Sequence, residues 1–131
     1  MIVLDTHAWL WWLHDPGRIP ARTLSRIDAA LDDGALVVSA ISAWEVAMLV
    51  AKGRLELTMP VDDLVTACEQ LPGFGLLPLT ARVAASAARL APLHPDPADR
   101  FITATALAAN ATLVTKDERL LATDLVRTAW G

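Results

Sequence analysis

The sequence contains a single cysteine, Cys68, among 131 residues. One cysteine cannot form a disulfide within the chain, so nothing in the composition points to an oxidising compartment. We expect Cys68 to act as a small apolar residue inside a helix rather than as a nucleophile. The chain also lacks the cysteine and histidine clusters that zinc sites use.

Long apolar runs and targeting signals are missing as well. No uncharged apolar run approaches the roughly 20 residues that a membrane-spanning helix needs. The first residues, Met-Ile-Val-Leu-Asp, have neither the positive region nor the small-residue cleavage site of a signal peptide. We therefore expect a soluble, cytoplasmic protein with no membrane association.

Positive charge is not in excess, since 11 lysines and arginines face 15 acidic residues and the net charge is −4. This balance argues against a protein that coats nucleic acid through bulk charge, but it does not exclude an enzyme whose metal-binding carboxylates make it acidic. Arg18, Arg22 and Arg26 recur at a spacing of four, which favours one helical face. Such a face is typical of a solvated surface and would also suit contacts to phosphate.

Short apolar runs alternate with helical patterns along the whole chain. The composition, 54% hydrophobic and 20% charged, is that of a globular protein, and the length indicates one domain over residues 1–131. Strands are predicted at 2–4, 36–38, 76–79, 112–115 and 126–130. Helices are predicted at 6–14, 20–31, 39–51, 60–71, 80–90 and 97–109, with a loop at 94–97 and a short helix after 117. Because the strands are continuous apolar runs, the pattern predicts an α/β fold with a mainly parallel sheet and one strand, 76–79, near an edge.

Four acidic residues fall where this sheet would bind a ligand. Asp5 follows the first strand, Glu45 lies within two turns of the second strand, Asp99 opens the helix at 97–109, and Asp117 follows the fourth strand. Ligands of open parallel sheets bind beyond the carboxyl ends of the strands. The topology alone therefore predicts that the four carboxylates meet at one edge.

Each acid also has an interpretation as a helix cap. Asp5 and Asp117 precede predicted helices, Ser42 and Glu45 have the spacing of a capping box, and Asp99 lies in a first helical turn. Taken singly, each of these positions is more typical of a cap than of a ligand.

Two observations favour a shared site over separate caps. Glu45 lies on an apolar helix face, where a buried carboxylate is costly unless it is paired or binds metal. Asp96 is available to cap the helix that begins at Pro97, which leaves Asp99 for another role. Four converging acids would repel one another unless a cation is bound, and oxygen ligands suit Mg²⁺ or Mn²⁺.

The segments around these acids resemble those of the PIN-domain family, most closely the VapC-type toxins of type II toxin–antitoxin systems. They are Val-Leu-Asp-Thr-His at Asp5, Ile-Ser-Ala-Trp-Glu-Val at Glu45, Asp-Pro-Ala-Asp-Arg-Phe-Ile at Asp99 and Thr-Lys-Asp at Asp117. The resemblance covers essentially the whole chain in order. It implies a three-layer α/β/α fold and an endoribonuclease that cleaves RNA with Mg²⁺- or Mn²⁺-activated water.

The resemblance also implies roles and partners. Asp5, Glu45 and Asp99 would be the core metal ligands, and Asp117 would bind a second ion or position water. A VapB-like antitoxin would cover the site, and the toxin would form a homodimer. Three hydroxyl residues would support the carboxylates or bind metal-bound water: Thr6, Ser39 and Thr115.

Tryptophans crowd the first predicted helix. Trp9, Trp11 and Trp12 are spaced so that they cannot share one face. They suit either packing in the core and against a neighbouring helix, or an apolar groove that binds the antitoxin. Both interpretations stay open. Trp44 is predicted to pack in the core.

Three alternative functions fit the sequence less well. A non-catalytic interaction module on the same scaffold would be expected to lack an acid, and none is missing. A receiver-like phosphoacceptor domain needs paired acids after the first strand and a lysine near the last. A phosphatase of the haloacid dehalogenase type needs Asp-x-Asp at the first strand, where position 7 is His7. The RNA target is not evident from the sequence.

Overall fold

Strands and helices alternate through residues 1–90 and 96–131, the parts of the chain that the computed structural model describes. The strands are β1 (Ile2–Leu4), β2 (Leu36–Ser39), β3 (Phe74–Leu77), β4 (Thr112–Val114) and β5 (Thr128–Ala129). The helices are α1 (Thr6–His14), α2 (Ala21–Asp32), α3 (Ala40–Ala51), α4 (Val61–Glu69), α5 (Ala81–Ala87), α6 (Pro97–Ala108) and α7 (Glu118–Leu121), with a 3₁₀ turn at Pro16–Arg18. Residues 94 and 95 of the predicted loop lie outside the described ranges. No helix within those ranges has the length and apolarity that crossing a membrane requires.

The strands form one sheet in the order β3-β2-β1-β4-β5, and each pairing is parallel. The chain builds outward from β1 to β2 and β3, then returns to place β4 on the other side of β1. The direction of winding therefore reverses between β1 and β4, and in such sheets ligands bind at that point, beyond the carboxyl ends of the strands. The predicted α/β class with a parallel sheet is confirmed.

Side chains of the central strands alternate between two apolar clusters. Ile2 and Leu4 point into a cluster that includes residues of α1 to α4, whereas Val3 points into a cluster with residues of α6 and α7. Successive residues of a strand face opposite sides of the sheet, so helices cover both faces. This arrangement confirms the three-layer α/β/α architecture.

The third strand begins two residues earlier than predicted. It pairs with β2 from Phe74 to Leu77 and forms one edge of the sheet, as predicted. The apolar run from Phe74 through Leu79 is nearly continuous, so hydrophobicity alone does not define the register. Pro78, which has no backbone N–H to donate, lies just beyond the last paired residue.

The prediction that Trp44 packs in the core is wrong. Trp44 is 54% exposed on α3, while Ser42 and Val46 are the fully buried residues of that helix. Because α3 is apolar around most of its circumference, its sequence does not indicate which face is buried. Cys68 is buried within α4, in agreement with its predicted role as a small apolar residue.

Candidate functional site

A cavity of about 380 Å³ lies beyond the carboxyl ends of β1 and β4. All four of the acids that the sequence singled out contribute to its walls, so the structure brings them together as the topology predicts. The walls are formed by Asp5, Thr6, His7, Trp11, Glu45, Asp96, Asp99, Lys116 and Asp117.

Asp5 has two roles that the sequence presented as alternatives. One carboxylate oxygen caps α1 by accepting a hydrogen bond from the backbone N–H of Ala8 at 2.8 Å. The side chain is only 7% exposed, and this burial raises the pKa of Asp5, while hydrogen bonds from the Thr115 hydroxyl and the Ala8 N–H act in the opposite direction. The cap therefore fixes a carboxylate that also faces the cavity.

Glu45 reaches the cavity from α3 and is held by a buried hydroxyl. Thr6 Oγ1 donates to Glu45 Oε1 at 2.5 Å, and the Thr6 and Ser42 hydroxyls are hydrogen-bonded at 2.9 Å. Burial raises the pKa of Glu45, the Thr6 hydrogen bond opposes that effect, and the charge of Asp96 adds to it. Thr6 thus supports a carboxylate, as the family resemblance implies.

The capping-box interpretation of Glu45 is wrong. Helix α3 begins three residues earlier than that interpretation needs, because Ser39 is its N-cap and accepts from the Ile41 N–H at 3.2 Å. Ser42 lies inside the helix and is fully buried. Glu45 is therefore one turn further along, where its side chain can reach the cavity.

Asp96 and Asp99 divide the roles that the sequence assigned to them. Asp96 is the N-cap of α6 and accepts from the N–H groups of Ala98 at 3.0 Å and Asp99 at 3.4 Å. Asp99 lines the cavity from the first turn of the same helix. Burial, followed by the negative charges of Asp96 and Asp117, raises the pKa of Asp99 to about 7.

Asp117 caps α7 and lines the cavity from the loop after β4. Its carboxylate accepts from the Arg119 N–H at 2.8 Å, and its own N–H donates to Thr115 Oγ1 at 3.0 Å. Thr115 is fully buried, and its hydroxyl also acts on Asp5 by lowering the pKa of that carboxyl. One hydroxyl therefore ties together the two loops that follow β1 and β4.

Two features of the site differ from the expectation. Ser39 is buried as the cap of α3, and it is not among the residues described as lining the cavity. Ser42 takes the place expected for a supporting hydroxyl, because it lies on the Glu45 side of α3 and contacts Thr6. A hydroxyl three residues before a candidate ligand was visible in the sequence, but the capping-box pattern concealed its role. Lys116 and Asp96 were not predicted as wall residues.

The donor set suits a hard divalent cation. The cavity is lined by carboxylates whose negative charges raise the pKa of Asp99, and oxygen ligands of this kind are preferred by Mg²⁺ and Mn²⁺. Within residues 1–90 and 96–131, however, no three acidic, histidine or cysteine side chains already converge closely enough to hold an ion.

The three tryptophans of α1 have different surroundings. Trp9 is fully buried and belongs to the core, so it presents no surface to a partner. Trp12 stacks on Phe74 with ring centroids 5.8 Å apart and planes 9° from parallel. Trp11 is half-buried and lines the acidic cavity. The antitoxin-binding hypothesis stays a prediction for Trp11 and Trp12.

Comparison with known proteins places this geometry in a family. Residues 2–125 match the PIN domain. Over 121 residues the chain is 39% identical to ribonuclease VapC22 of Mycobacterium tuberculosis, covering 91% of this chain and 88% of the relative. Its fold is similar to FitAcB from Neisseria gonorrhoeae (30% identity, coverage 98% and 96%, TM-score 0.64). It is also similar to VapBC2 from Rickettsia felis bound to a promoter DNA fragment (17% identity, full coverage of both chains, TM-score 0.73). The chain therefore belongs to the PIN-domain family and resembles, within it, the VapC-type toxins.

Proposed function

We propose that the chain is a metal-dependent endoribonuclease that hydrolyses RNA phosphodiester bonds. The observation that carries the proposal is the convergence of Asp5, Glu45, Asp99 and Asp117 on one cavity at the point where the sheet reverses its winding. The extensive similarity to a relative named as a ribonuclease supports RNA as the substrate. A buried acidic cavity without a cation would be self-repelling, which is a cost that a binding module has no reason to carry.

The proposed cofactor is Mg²⁺ or Mn²⁺. Asp5, Glu45 and Asp99 would hold the ion, and Asp117 would bind a second ion or position water. When bound, such an ion lowers the pKa of water and stabilises the negative charge that develops on the phosphate. Its charge would also attract each carboxylate and so offset their mutual repulsion.

The chain's own residues prepare the carboxylates for this task. The Ala8 N–H orients Asp5, and the Thr6 hydroxyl orients Glu45. Hydrogen bonds of this kind keep ligating oxygens directed at a site and are costly to remove. The start of α1 and the Glu45 side of α3 are thereby joined beside the place where the scissile phosphate would bind.

We further propose that the protein is the toxin of a toxin–antitoxin pair. The similarity to the VapBC2 and FitAcB structures supports a VapB-like antitoxin as partner and a homodimeric toxin. An acidic cavity is complementary to a basic residue of such a partner, which would block the site by occupying it.

The test is cleavage of structured RNA by the purified protein with Mn²⁺, with EDTA in place of the metal, and with the Asp99→Asn variant. We expect the wild type to cleave RNA with Mn²⁺ and not with EDTA, and we expect a loss of about 100-fold or more in Asp99→Asn because the substitution removes a ligand carboxylate. Asp28→Asn is the matched control, since Asp28 is exposed on α2 and lies outside the cavity walls. Circular dichroism would first show that both variants are folded.

Other outcomes have definite meanings. Cleavage that survives EDTA or Asp99→Asn would indicate a contaminating enzyme and remove the support for the site. A folded wild type that neither cleaves RNA nor binds Mn²⁺ would favour the non-catalytic interaction module.

A further inference from the structure

Trp11 is surrounded by cations at the rim of the acidic cavity. The guanidinium carbon of Arg18 lies 4.8 Å from the centre of the Trp11 ring, and the ammonium of Lys116 lies 5.6 Å from it. Both distances are within the range of cation–π attraction, which extends to about 6 Å. Both cationic residues are exposed, and Lys116 also lines the cavity.

A neutral ring holds a cation without cancelling its charge. A carboxylate partner would neutralise Arg18 or Lys116, whereas the Trp11 ring restricts their motion and leaves their hydrogen-bond donors available. Ordering long side chains in advance reduces the entropy that a ligand must overcome. Trp11 therefore keeps two positive charges at the edge of a cavity whose acids would otherwise attract them inward.

The cationic surface continues away from the cavity. Trp11 contacts Trp130, with ring centroids 5.6 Å apart, and Trp130 lines a second cavity of about 370 Å³. Arg22 and Arg26, which are exposed and one turn apart on α2, line the same second cavity. The two tryptophans thus lie between an acidic cavity and a basic one.

We propose that Arg18 and Lys116, held over Trp11, bind the phosphate backbone of single-stranded RNA beside the acidic cavity. Trp11 acts as a positioning residue, and the strand continues past Trp130 toward Arg22 and Arg26. We call these six residues the phosphate shelf: Trp11, Arg18, Arg22, Arg26, Lys116 and Trp130. The inference rests on the proposed function and adds the surface that receives the substrate.

Charge favours RNA over a protein partner on this surface. A polyanion approaching a chain of net charge −4 needs a local cationic rim, because the overall field repels it. An antitoxin segment that neutralises the acids would be basic, and the shelf would repel it. Contacts to phosphate carry no sequence information, so we expect the shelf to set affinity and register, and not the preferred cleavage sequence.

The experiment measures RNA binding in EDTA, where no metal is present and no cleavage is needed. The probe is a fluorescein-labelled oligouridylate of about 12 nucleotides, a length that spans a typical single-strand site, and the readout is anisotropy across a series of salt concentrations. For Arg18→Gln and Lys116→Gln we expect the Kd for the oligouridylate to rise three- to tenfold. Each variant should also lower the slope of log K against log salt by about 0.7, the value for one phosphate contact on a single strand.

Trp11 is tested by a pair of substitutions. Trp11→Leu removes the ring and should lower the salt slope by about 1.4, twice the change for one cation, whereas Trp11→Phe keeps a ring and should restore most of it. If Trp11 had a purely structural role, Trp11→Leu would lower the thermal stability, and the molecules that remain folded would bind RNA with the salt slope of the wild type. Arg54→Gln is the matched control, because Arg54 is exposed and does not line either cavity. The surface substitutions at Arg18 and Lys116 decide the matter if Trp11→Leu does not fold.

Unchanged slopes in the Arg18 and Lys116 variants would overturn the proposal, as would a wild type that does not bind the oligouridylate. If the Arg18 and Lys116 variants bind RNA as the wild type does but no longer bind a co-expressed antitoxin, the surface belongs to a protein partner and the shelf is rejected. Failure of the nuclease proposal gives a different result. A wild type that binds the oligouridylate with the expected slope changes, but neither cleaves RNA nor binds Mn²⁺, would retain the shelf and reject the nuclease.

Discussion

The Thr6 hydroxyl of α1 is hydrogen-bonded to Glu45, the acidic cavity residue of α3. It is 2% exposed, donates to Glu45 and is hydrogen-bonded to Ser42. A hydroxyl has one hydrogen, so when Thr6 donates it to the carboxylate, Ser42 supplies the hydrogen of the second bond. The arrangement directs one carboxylate oxygen of Glu45 without neutralising it.

Thr6→Val removes this hydrogen bond and keeps the shape of the side chain. We expect cleavage to fall by about 10- to 100-fold, the range for losing a group that orients a metal ligand. Thr6→Ser keeps the hydroxyl and is the control, with activity expected close to that of the wild type. The measurement is kcat/KM on one RNA substrate. Equal activity of Thr6→Val and Thr6→Ser would show that Thr6 does not support Glu45.

At single positions, the sequence identified the acids better than their hydrogen-bond partners. Asp5 and Asp117 were predicted from their places after strands, and Glu45 and Asp99 from their places in helices that open onto the same edge of the sheet, where all four line one cavity. Ser42 was interpreted as a capping residue and Ser39 as a support for the carboxylates, whereas Ser39 is the N-cap of α3 and Ser42 contacts Thr6. Local spacing could not show that Asp5 and Asp117 are caps and cavity residues at once.

At the scale of elements, the buried strands were easier to predict than the faces of helices. β1 was predicted at its observed bounds, because Asp5 ends the short apolar run that forms the strand. β3 was displaced by two residues, because its register depends on pairing with β2. Trp44 was misplaced because α3 offers several apolar faces and tertiary packing selects one.

Three of the acidic side chains around the cavity lie at helix starts. Asp5 caps α1, Asp96 caps α6 and Asp117 caps α7, so three of the acidic side chains around the cavity are fixed by backbone N–H groups. A carboxylate at a helix N-terminus is also stabilised by the helix dipole. These contacts partly offset the repulsion among acids that must stay close until a cation binds.

At the scale of the whole molecule, the acidic cavity makes stability depend on pH. Asp99 has a pKa of about 7 in the folded protein, against about 3.9 for an unfolded aspartate. Between these values the folded state holds a proton that the unfolded state releases, so the free energy of unfolding falls as the pH rises. Burial raises the pKa of Asp5 and of Glu45, which contributes in the same direction.

We therefore expect the metal-free protein to be more stable at about pH 5 than at about pH 8. Asp99→Asn should be folded and slightly more stable than the wild type at the higher pH. Its free energy of unfolding should change less between the two pH values, by about 1–2 kcal/mol after allowing for solvent screening. Urea unfolding in EDTA at the two pH values measures both quantities. A variant that unfolds would instead support a capping role for Asp99, and an unchanged pH dependence would contradict the assigned burial.

The central claim is that the acids form a site for a hard divalent cation, and it is tested most directly by calorimetric titration of Mn²⁺ into the metal-free protein. This measurement does not depend on having found the right RNA. We expect the wild type and Asp28→Asn to bind Mn²⁺ with equal affinity, and Asp99→Asn to bind at least about tenfold more weakly, as expected when a ligand is removed. A folded wild type that binds no Mn²⁺, or an Asp99→Asn variant that binds it as tightly, would contradict the account.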